Sequence, residues 1–221
     1  YGESNLTGFI NIIEASRKFK VNNFLYASSS SVYGLNEEIP FRESHKTENI
    51  VSLYAATKKS NEIIAETFSK MYSLPVIGLR FFTVYGPYGR PDMAYFKFTK
   101  NILAEKKINI YNNGKMYRDY TYIDDIVNGI YKLLNKIPST NSKKRYKNDS
   151  LSPVAPFRIL NIGNTKKIYL LNFIDFLGKE LGKKIRKKYM PMQKGDVVST
   201  LSDSSLLKRI TGYSPKTNYK I

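Results

Sequence analysis

The chain has 221 residues, the length of one domain or slightly more, and its 42% of hydrophobic residues suffice for a buried core, which excludes a disordered chain. It has no cysteine and only one histidine, His45, which excludes disulfides and thiolate sites and argues against a histidine-based triad. No apolar run reaches the roughly 18 residues of a membrane-spanning helix, and no secretory signal is visible, so we expect a cytoplasmic protein without membrane or metal site.

The formal net charge is +18, which would suit nucleic acid or another anionic partner. The basic runs lie at residues 143–145, 183–184 and 186–188, and they lack the interleaved aromatic side chains that stack on bases. We therefore interpret the charge as a solvated basic surface rather than a nucleic-acid interface. The same charge would attract small anionic substrates.

The first 85 residues alternate between helical and strand-like segments. Apolar residues at helical spacing predict helices over residues 4–19 and 52–72. Continuous apolar runs predict strands over residues 21–26 and 76–84, and the first of these leads into a polar, serine-rich loop at 27–31. Strands that are apolar throughout are typical of a parallel sheet covered by helices on both faces.

The remaining residues have a different character. Short helices and strands alternate there, with a segment rich in Pro, Ser, Asn and Lys at 137–157 that predicts a mobile loop. The predicted helices are 94–105, 124–135, 171–181 and 204–210, and the predicted strand segments are 108–114 and 158–162. We expect a sheet-and-helix part over 1–85 and a smaller α+β lobe over 86–221, with some of its strands returning to the sheet.

A complete dinucleotide-binding sheet needs more strands than these. No glycine-rich turn of the Gly-x-Gly-x-x-Gly or Gly-x-x-Gly-x-x-Gly type follows any predicted strand. One βαβ unit takes about 30 residues, so half of such a fold needs on the order of 90 more residues. The expected fold is therefore the C-terminal part of a doubly wound, Rossmann-like α/β sheet with an added α+β lobe.

Tyr54 and Lys58 are the first candidates for chemistry. Four residues apart on a helix, they share one face, so the ammonium can approach the phenol and favour its ionised form for acid–base work. The spacing alone is uninformative because Tyr111 and Lys115 share it. The context favours Tyr54, since ligands of open α/β sheets bind at the carboxyl ends of strands, where residues 28–31 are all serine. Taken alone, these serines would indicate only a polar loop.

Five segments together resemble the extended short-chain dehydrogenases/reductases. They are ASSSSVYG at 27–34, YAATK at 54–58, LRFFTVYGP at 79–87, GKMYRDYTYIDD at 114–125 and QKGDV at 193–197. The resemblance runs in order along nearly the whole chain, so it is more specific than any one motif. Within the family the chain is most similar to nucleotide-sugar epimerases, and YGRPDMA at 88–94 points to those acting on UDP-glucuronate.

The resemblance implies roles for individual residues. Tyr54 would be the catalytic base, with Lys58 as its cationic partner and as a ligand of the nicotinamide ribose, and Ser29 and Ser31 would hold the reacting hydroxyl. The cofactor side would comprise Tyr54 and Lys58 together with Asn5, Ala27, Ser28, Phe81 and Phe82. The substrate side would comprise Thr83 at the sugar, Arg90 at a hexuronate carboxylate, and Arg118, Gln193 and Asp196 at the diphosphate and ribose. An arginine suits such anions because its planar fork donates two parallel hydrogen bonds, although a solvated loop arginine is an equal interpretation of Arg90.

The implied reaction is an NAD-dependent inversion at C4 of a UDP-hexuronate or UDP-hexose, through a 4-keto intermediate and without net redox change. Related dehydratases carry an Asp-Glu pair at the positions of Ser30 and Ser31, and related uronate decarboxylases carry a Glu at the position of Ser31. A hydroxyl cannot supply the same acid–base chemistry as these carboxylates. The serines therefore favour epimerisation.

Two alternatives remain open from the sequence. One is a UDP-glucose/galactose 4-epimerase or another nucleotide-sugar reductase, and the other is a non-catalytic truncated relative with a structural role. The resemblance also implies a homodimer through helices 4–19 and 52–72. Because the glycine-rich loop is absent from these 221 residues, we expect them to bind NAD weakly or not at all by themselves.

Overall fold

The strands of the chain form one central parallel sheet and three small two-stranded pairs. The computed structural model describes residues 1–141, 146–193 and 197–220. Its strands are β1 (Phe24–Ser29), β2 (Val76–Phe81), β3 (Thr83–Tyr85), β4 (Lys107–Ile110), β5 (Tyr117–Arg118), β6 (Tyr120–Tyr122), β7 (Phe157–Ile162), β8 (Ile168–Tyr169) and β9 (Arg186–Tyr189). The central sheet has the order β1-β2-β7 and is parallel throughout. The smaller pairs are β3-β6, β4-β9 and β5-β8.

All six predicted helices are present within a few residues of their expected bounds. They are α1 (Gly8–Lys18), α2 (Leu53–Tyr72), α3 (Ala94–Leu103), α4 (Ile123–Leu133), α5 (Leu170–Glu180) and α6 (Ser205–Thr211). A π-helical turn, Gly2–Thr7, leads into α1, and 3-10 turns occupy Ser30–Tyr33 and Tyr111–Gly114. None of the helices in the described parts of the chain combines the length and apolar character needed to cross a membrane.

Helices cover both faces of the central sheet. On one face, α1 and α2 contribute Ile13 and Ala65 to an apolar cluster with Tyr26 of β1 and Val76 of β2. On the other face, side chains of α4 and α6 pack on β2 and β7 in a second cluster that includes Leu160. This two-sided burial explains why β2 and β7 are apolar almost without interruption. The prediction of an α/β fold on a parallel sheet is confirmed.

Two predicted strands differ from the observed ones. The strand expected at 21–26 is Phe24–Ser29, so Ser28 and Ser29 belong to it and lie buried at its end. The strand expected at 76–84 is interrupted at Phe82, because the chain changes partners there. Val76–Phe81 pairs with β7, whereas Thr83–Tyr85 pairs with β6. Both boundaries lie at the carboxyl ends of the central strands.

The second half of the chain has its own apolar cluster. Ile108 and Ile110 of β4 pack with Phe98 of α3 and with Phe173 and Ile174 of α5. The chain also contributes β7 to the central sheet from this half. A division into two units at residues 85 and 86 stays a prediction.

The segment predicted as a mobile loop is irregular but partly anchored. Asp149 accepts two hydrogen bonds of 3.0 Å from Arg158 of β7, and both side chains are at most 7% exposed. Leu151 and Ala155 are buried nearby. Residues 142–145 of this segment lie outside the described residues. The composition indicates a loop, but it gives no sign of the buried ion pair that holds its second half.

Candidate active site

A cleft of about 590 Å³ opens at the carboxyl ends of β1 and β2. Its walls come from these strand ends, the first turn of α2 and the loop over residues 86–93. Nine residues singled out from the sequence line it: Ala27, Ser28, Ser29, Ser31, Tyr54, Phe81, Phe82, Thr83 and Arg90. The fold therefore brings together residues from four separate segments of the sequence, at the edge of the sheet where ligands of open α/β sheets bind.

Tyr54 and Lys58 lie side by side at the start of α2. The Ser52 side chain caps the helix by accepting a hydrogen bond of 3.1 Å from the backbone N–H of Ala55, which places Tyr54 in the first turn. The Lys58 Nζ lies 6.0 Å from the centroid of the Tyr54 ring and donates to the Ala27 carbonyl at 3.0 Å. Burial lowers the pKa of Lys58 below its ordinary value. An ammonium at this distance can stabilise negative charge that develops on a phenol during proton transfer.

The serines at the tip of β1 divide into two kinds. Ser29 Oγ donates to Ser31 Oγ at 3.1 Å and accepts from the Ser31 backbone N–H at 3.2 Å, so the two hydroxyls form one group at the cleft. The Ser28 hydroxyl instead donates to Glu62 of α2 at 2.7 Å in a buried contact. Ser28 therefore lies along the cleft, but its hydroxyl is engaged with the helix behind it.

Asn5 lies beside the cleft rather than in its wall. Its side chain donates to Thr57 Oγ1 at 3.0 Å, which ties the amino-terminal turn to α2 between Tyr54 and Lys58. Tyr1 does line the cleft, with its ring centroid 5.7 Å from that of Tyr54. This contact could not be predicted from the sequence, because Tyr1 belongs to no motif and to no regular spacing.

Arg90 lies on the opposite wall, in the loop over residues 86–93. Its guanidinium pairs with Asp92 through two contacts of 3.1 Å, and its side chain is 69% exposed. Gly86 begins this loop at φ +140, and a Cβ there would collide with the Ile123 side chain, so the turn requires glycine. Arg90 thus already holds a carboxylate in the forked geometry that a uronate would use.

A second cavity of about 230 Å³ adjoins the cleft. Thr83, Met93 and Tyr95 line both, and Arg118 lines the second cavity alone. The remaining wall is largely apolar, with Phe98, Met116, Tyr120, Ile168 and Leu170 among its residues. A cationic group beside an apolar cavity can take a ligand that has both a charged and a flat apolar part.

Gln193 and Asp196 were also predicted to contact the substrate. Gln193 is exposed and is not among the residues that line either cavity. Asp196 lies outside the described residues. Arg118 donates to the carbonyls of Val197 at 2.8 Å and Val198 at 3.1 Å, so it holds the chain that follows residue 196 beside the second cavity.

Asp119 is a buried group that sequence reasoning did not single out. It accepts hydrogen bonds from the backbone N–H groups of Asn164, Thr165 and Ser202 at 2.9 to 3.0 Å. Burial raises its pKa above the ordinary value despite these bonds. Since its own carbonyl accepts from the Thr83 N–H at 3.2 Å, Asp119 joins the starts of β3 and β6 to the segment that follows β7. Asp119 belongs to one of the segments that resemble the family, but nothing in the sequence distinguishes its structural role from a contact with a ligand.

Comparisons with known proteins agree with this geometry. Residues 1–147 match the model of the family described as NAD dependent epimerase/dehydratase. Protein CapI of Staphylococcus aureus is 50% identical over 218 residues, which are 98% of this chain and 65% of that protein. The probable UDP-glucuronate 4-epimerase of Rhizobium meliloti (strain 1021) is 41% identical over 220 residues, which are 99% of this chain and 64% of the relative.

Among solved structures, the UDP-glucuronic acid 4-epimerase of Bacillus cereus in complex with UDP-glucuronic acid and NAD superposes with a TM-score of 0.85 at 30% identity. That alignment covers 100% of this chain and 65% of the other. The structural similarity confirms the expected Rossmann-like fold class. The chain spans just under two thirds of the length of the proteins that it matches here.

Proposed function

The chain belongs to the NAD dependent epimerase/dehydratase family, and from this premise we propose that it forms the catalytic part of a nucleotide-sugar 4-epimerase that acts on UDP-glucuronate. The membership confirms the resemblance found in the sequence. One observation carries the proposal: Tyr54 and the paired hydroxyls of Ser29 and Ser31 line the same cleft, and the Lys58 ammonium lies 6.0 Å from the centroid of the Tyr54 ring. A phenol, an ammonium and a hydroxyl are the groups that acid–base chemistry at a sugar hydroxyl requires in a chain with one histidine.

The residues present suit the nicotinamide end of NAD. Ala27 is exposed at the cleft, although Ser28 and Ser29 after it are buried, so the strand tip leaves room for a flat ring there. An ammonium has three donors, and Lys58 uses one on the Ala27 carbonyl, which leaves two for ribose hydroxyls. When bound, NAD would supply the hydride acceptor and donor for C4. We propose that Phe81 and Phe82 complete this side, with Asn5 holding the helix in place.

In the proposed reaction, Tyr54 accepts the proton of the C4 hydroxyl, and the hydride of the broken C4–H bond would be taken up by the NAD that these residues hold. Ser29 holds the same hydroxyl, and Lys58 stabilises the charge that the phenol carries. The resulting 4-keto sugar rotates in the cleft, so the hydride would return to the other face of C4. Tyr54 then gives the proton back to the C4 oxygen. Each bond broken in the first half is re-formed in the second, so no net oxidation occurs.

Arg90 supports a uronate as the sugar. The support is that Arg90 lines the cleft and that its guanidinium engages the Asp92 carboxylate in forked geometry. The same contact favours a second candidate, an epimerase of neutral UDP-hexoses, because Arg90 is then satisfied without the substrate. For the nucleotide, we propose the second cavity, with Arg118 offsetting the charge of the diphosphate and Thr83 between base and sugar. The roles of Gln193 and Asp196 stay predictions.

The test measures by proton NMR whether UDP-glucuronate is converted to its C4 epimer when NAD is present in excess. It is run on the 221-residue chain and on the longest reading frame that contains it, with Tyr54→Phe as the matched inactive variant. Because the chain has no glycine-rich loop, we expect little turnover from it alone and full turnover from a form that supplies one. If every form leaves UDP-glucuronate unchanged but converts UDP-glucose, the second candidate replaces the first. If neither sugar is converted, the proposed function is wrong.

We also propose that two copies of the chain associate through α1 and α2 in the cytoplasm, where NAD and nucleotide sugars are available. The support is a set of apolar side chains exposed on these helices: Ile10, Ile12, Leu53, Ile63 and Met71. Light scattering of Ile63→Glu should give half the mass of the parent protein. Ile137→Glu, which alters a similarly exposed isoleucine outside the two helices, serves as the control and should not change the mass.

A further inference from the structure

A buried ion pair lies directly behind the candidate catalytic residues. Glu62 is on α2, one turn beyond Lys58, and Arg80 is on β2, and each side chain is only 4% exposed. Arg80 Nε donates to Glu62 Oε1 at 2.8 Å, and its Nη2 donates to Oε2 at 2.9 Å. Such a pair costs desolvation free energy, so it calls for a reason beyond stability.

The carboxylate of Glu62 is engaged by three neighbouring side chains. Besides the two bonds from Arg80, its Oε1 accepts the Ser28 hydroxyl at 2.7 Å, and its Oε2 lies 3.5 Å from the Lys59 ammonium. A carboxylate offers about four acceptor positions, and here three hydrogen bonds and one ion pair meet it in the described residues. The attraction of Glu62 for a further cation is correspondingly weakened.

Lys58 would be the natural partner of Glu62. Lysine and glutamate four residues apart on a helix ordinarily attract each other. Both side chains also reach the same strand tip, since Lys58 contacts the Ala27 carbonyl and Glu62 contacts the Ser28 hydroxyl. Yet in the described residues Lys58 makes no ion pair with Glu62 within 4 Å, whereas Lys59 does. The Lys58 ammonium instead stays near the Tyr54 ring.

We propose that Arg80 is a positioning residue, which occupies Glu62 so that this carboxylate cannot draw the Lys58 ammonium away from Tyr54. The inference rests on the proposed role of Lys58 beside Tyr54. Arginine suits the task better than lysine because its planar fork engages both carboxylate oxygens at once. The arrangement costs desolvation free energy, because Nη1 of Arg80 is buried without a hydrogen-bond partner in the described residues. The guanidinium also lies 4.7 Å from the centroid of the Tyr33 ring.

The chain supplies a matched control. Arg158 on the neighbouring strand β7 forms the same forked, buried pair with Asp149, but that pair anchors the loop before β7 and does not contact α2. Arg158→Met should therefore perturb stability in the manner of Arg80→Met without freeing a carboxylate next to Lys58.

The experiment measures the pKa of Lys58 by NMR of the 221-residue chain with ¹³C-labelled lysine, and the signal is assigned by its loss in Lys58→Arg. In the parent chain, burial keeps this pKa below the ordinary value. Arg80→Met should raise it by about one unit, because the freed Glu62 becomes the partner of Lys58. The double variant Arg80→Met with Glu62→Gln should restore the parent value, and Arg158→Met should leave it unchanged.

An unchanged pKa in Arg80→Met overturns the proposal, and so does a raised pKa that persists in the double variant. If Arg80→Met does not fold, Arg80→Lys replaces it. A single ammonium leaves part of the Glu62 carboxylate free, so the pKa of Lys58 should rise by a smaller amount. An unchanged pKa in Arg80→Lys contradicts the proposal. The measurement uses neither NAD nor sugar. Loss of the proposed enzymatic function would therefore leave this result standing, and the reverse also holds.

Discussion

The two walls of the cleft are built in different ways. Ser29, Ser31, Tyr54 and Lys58 lie on β1, its following turn and α2, where hydrogen bonds tie each element to the next. The opposite wall is the loop over 86–93, in which Tyr88 is fully exposed at φ +59 and Arg90 pairs with Asp92 of the same loop. We call these the helix wall and the loop wall.

The difference suggests a division of labour. Proton transfer is sensitive to changes of a few tenths of an ångström in the donor–acceptor distance, and the groups that we propose perform it are held by regular elements. Selection among sugars changes more readily when the selecting side chain lies on a loop that the scaffold merely presents. If this interpretation is right, variants of the helix wall change the rate for every substrate, whereas variants of the loop wall change the preference between substrates.

Tyr54→Phe should have the largest effect. Phenylalanine keeps the ring against Tyr1 but lacks the phenolic hydroxyl with which Tyr54 would accept the proton. We therefore expect turnover to fall about 10³-fold for acidic and neutral sugars alike. The assay is the NMR conversion described above, with near-ultraviolet circular dichroism to check the fold. A loss confined to one class of sugar would assign Tyr54 to recognition and would break the comparison.

Lys58→Met should lower turnover about 10²-fold and change its pH dependence. Since burial lowers the pKa of Lys58, its ammonium loses the proton at a lower pH than an ordinary lysine, and the stabilising charge is then lost. The parent enzyme should therefore lose activity on the alkaline side before ordinary lysines titrate. In Lys58→Met this alkaline limb should disappear. Lys59→Met, a neighbour that faces Glu62, should retain the limb; a profile identical in parent and Lys58→Met would contradict the assignment.

The two walls also differ in how well the sequence predicted them. Tyr54 and Lys58 follow from helical spacing combined with a serine-rich strand end, because both signals are local. The exact strand end does not follow: Ser28 counts as polar in the sequence but is buried because Glu62, 34 residues away, accepts its hydroxyl. The break at Phe82 is likewise invisible, since apolar residues continue through it and only the change of partner strand reveals it.

On the loop wall, the residue types predicted less of the observed structure than they did on the helix wall. Arg90 was singled out for its forked donors, but its contact with Asp92 depends on the loop conformation, which no periodicity encodes. The buried pair of Arg80 and Glu62 joins residues 18 apart on different elements and reads in the sequence as two ordinary surface charges. Pairings between elements are the part that sequence spacing could not supply.

Ser29→Ala and Ser28→Ala should separate two neighbouring serines of the helix wall. Ser29→Ala removes the hydroxyl that we propose holds the C4 hydroxyl of the sugar, so turnover should fall about ten-fold with little loss of stability. Ser28→Ala removes a buried bond to a carboxylate, so the free energy of unfolding should fall by about 1.5 kcal/mol or more. Urea denaturation and the NMR assay measure both quantities for both variants. If each variant changes both quantities to the same degree, the two serines do not have the separate roles assigned here.

Arg90→Gln tests the loop wall with the smallest expected effect. The side chain is two-thirds exposed, so solvent screens its attraction to a carboxylate, and we expect the preference for UDP-glucuronate over UDP-glucose to fall only about five-fold. Asp92→Asn should act in the opposite direction, because it removes the internal carboxylate that competes for the same guanidinium. The ratio of kcat/KM for the two sugars is the measurement that matters, since a rate loss common to both would indicate damage to the helix wall. If the ratio changes in opposite directions in the two variants, Arg90 recognises the charge of the sugar. If the ratio is unchanged in both variants, Arg90 is a solvated loop residue, and another part of the cleft must select between the sugars.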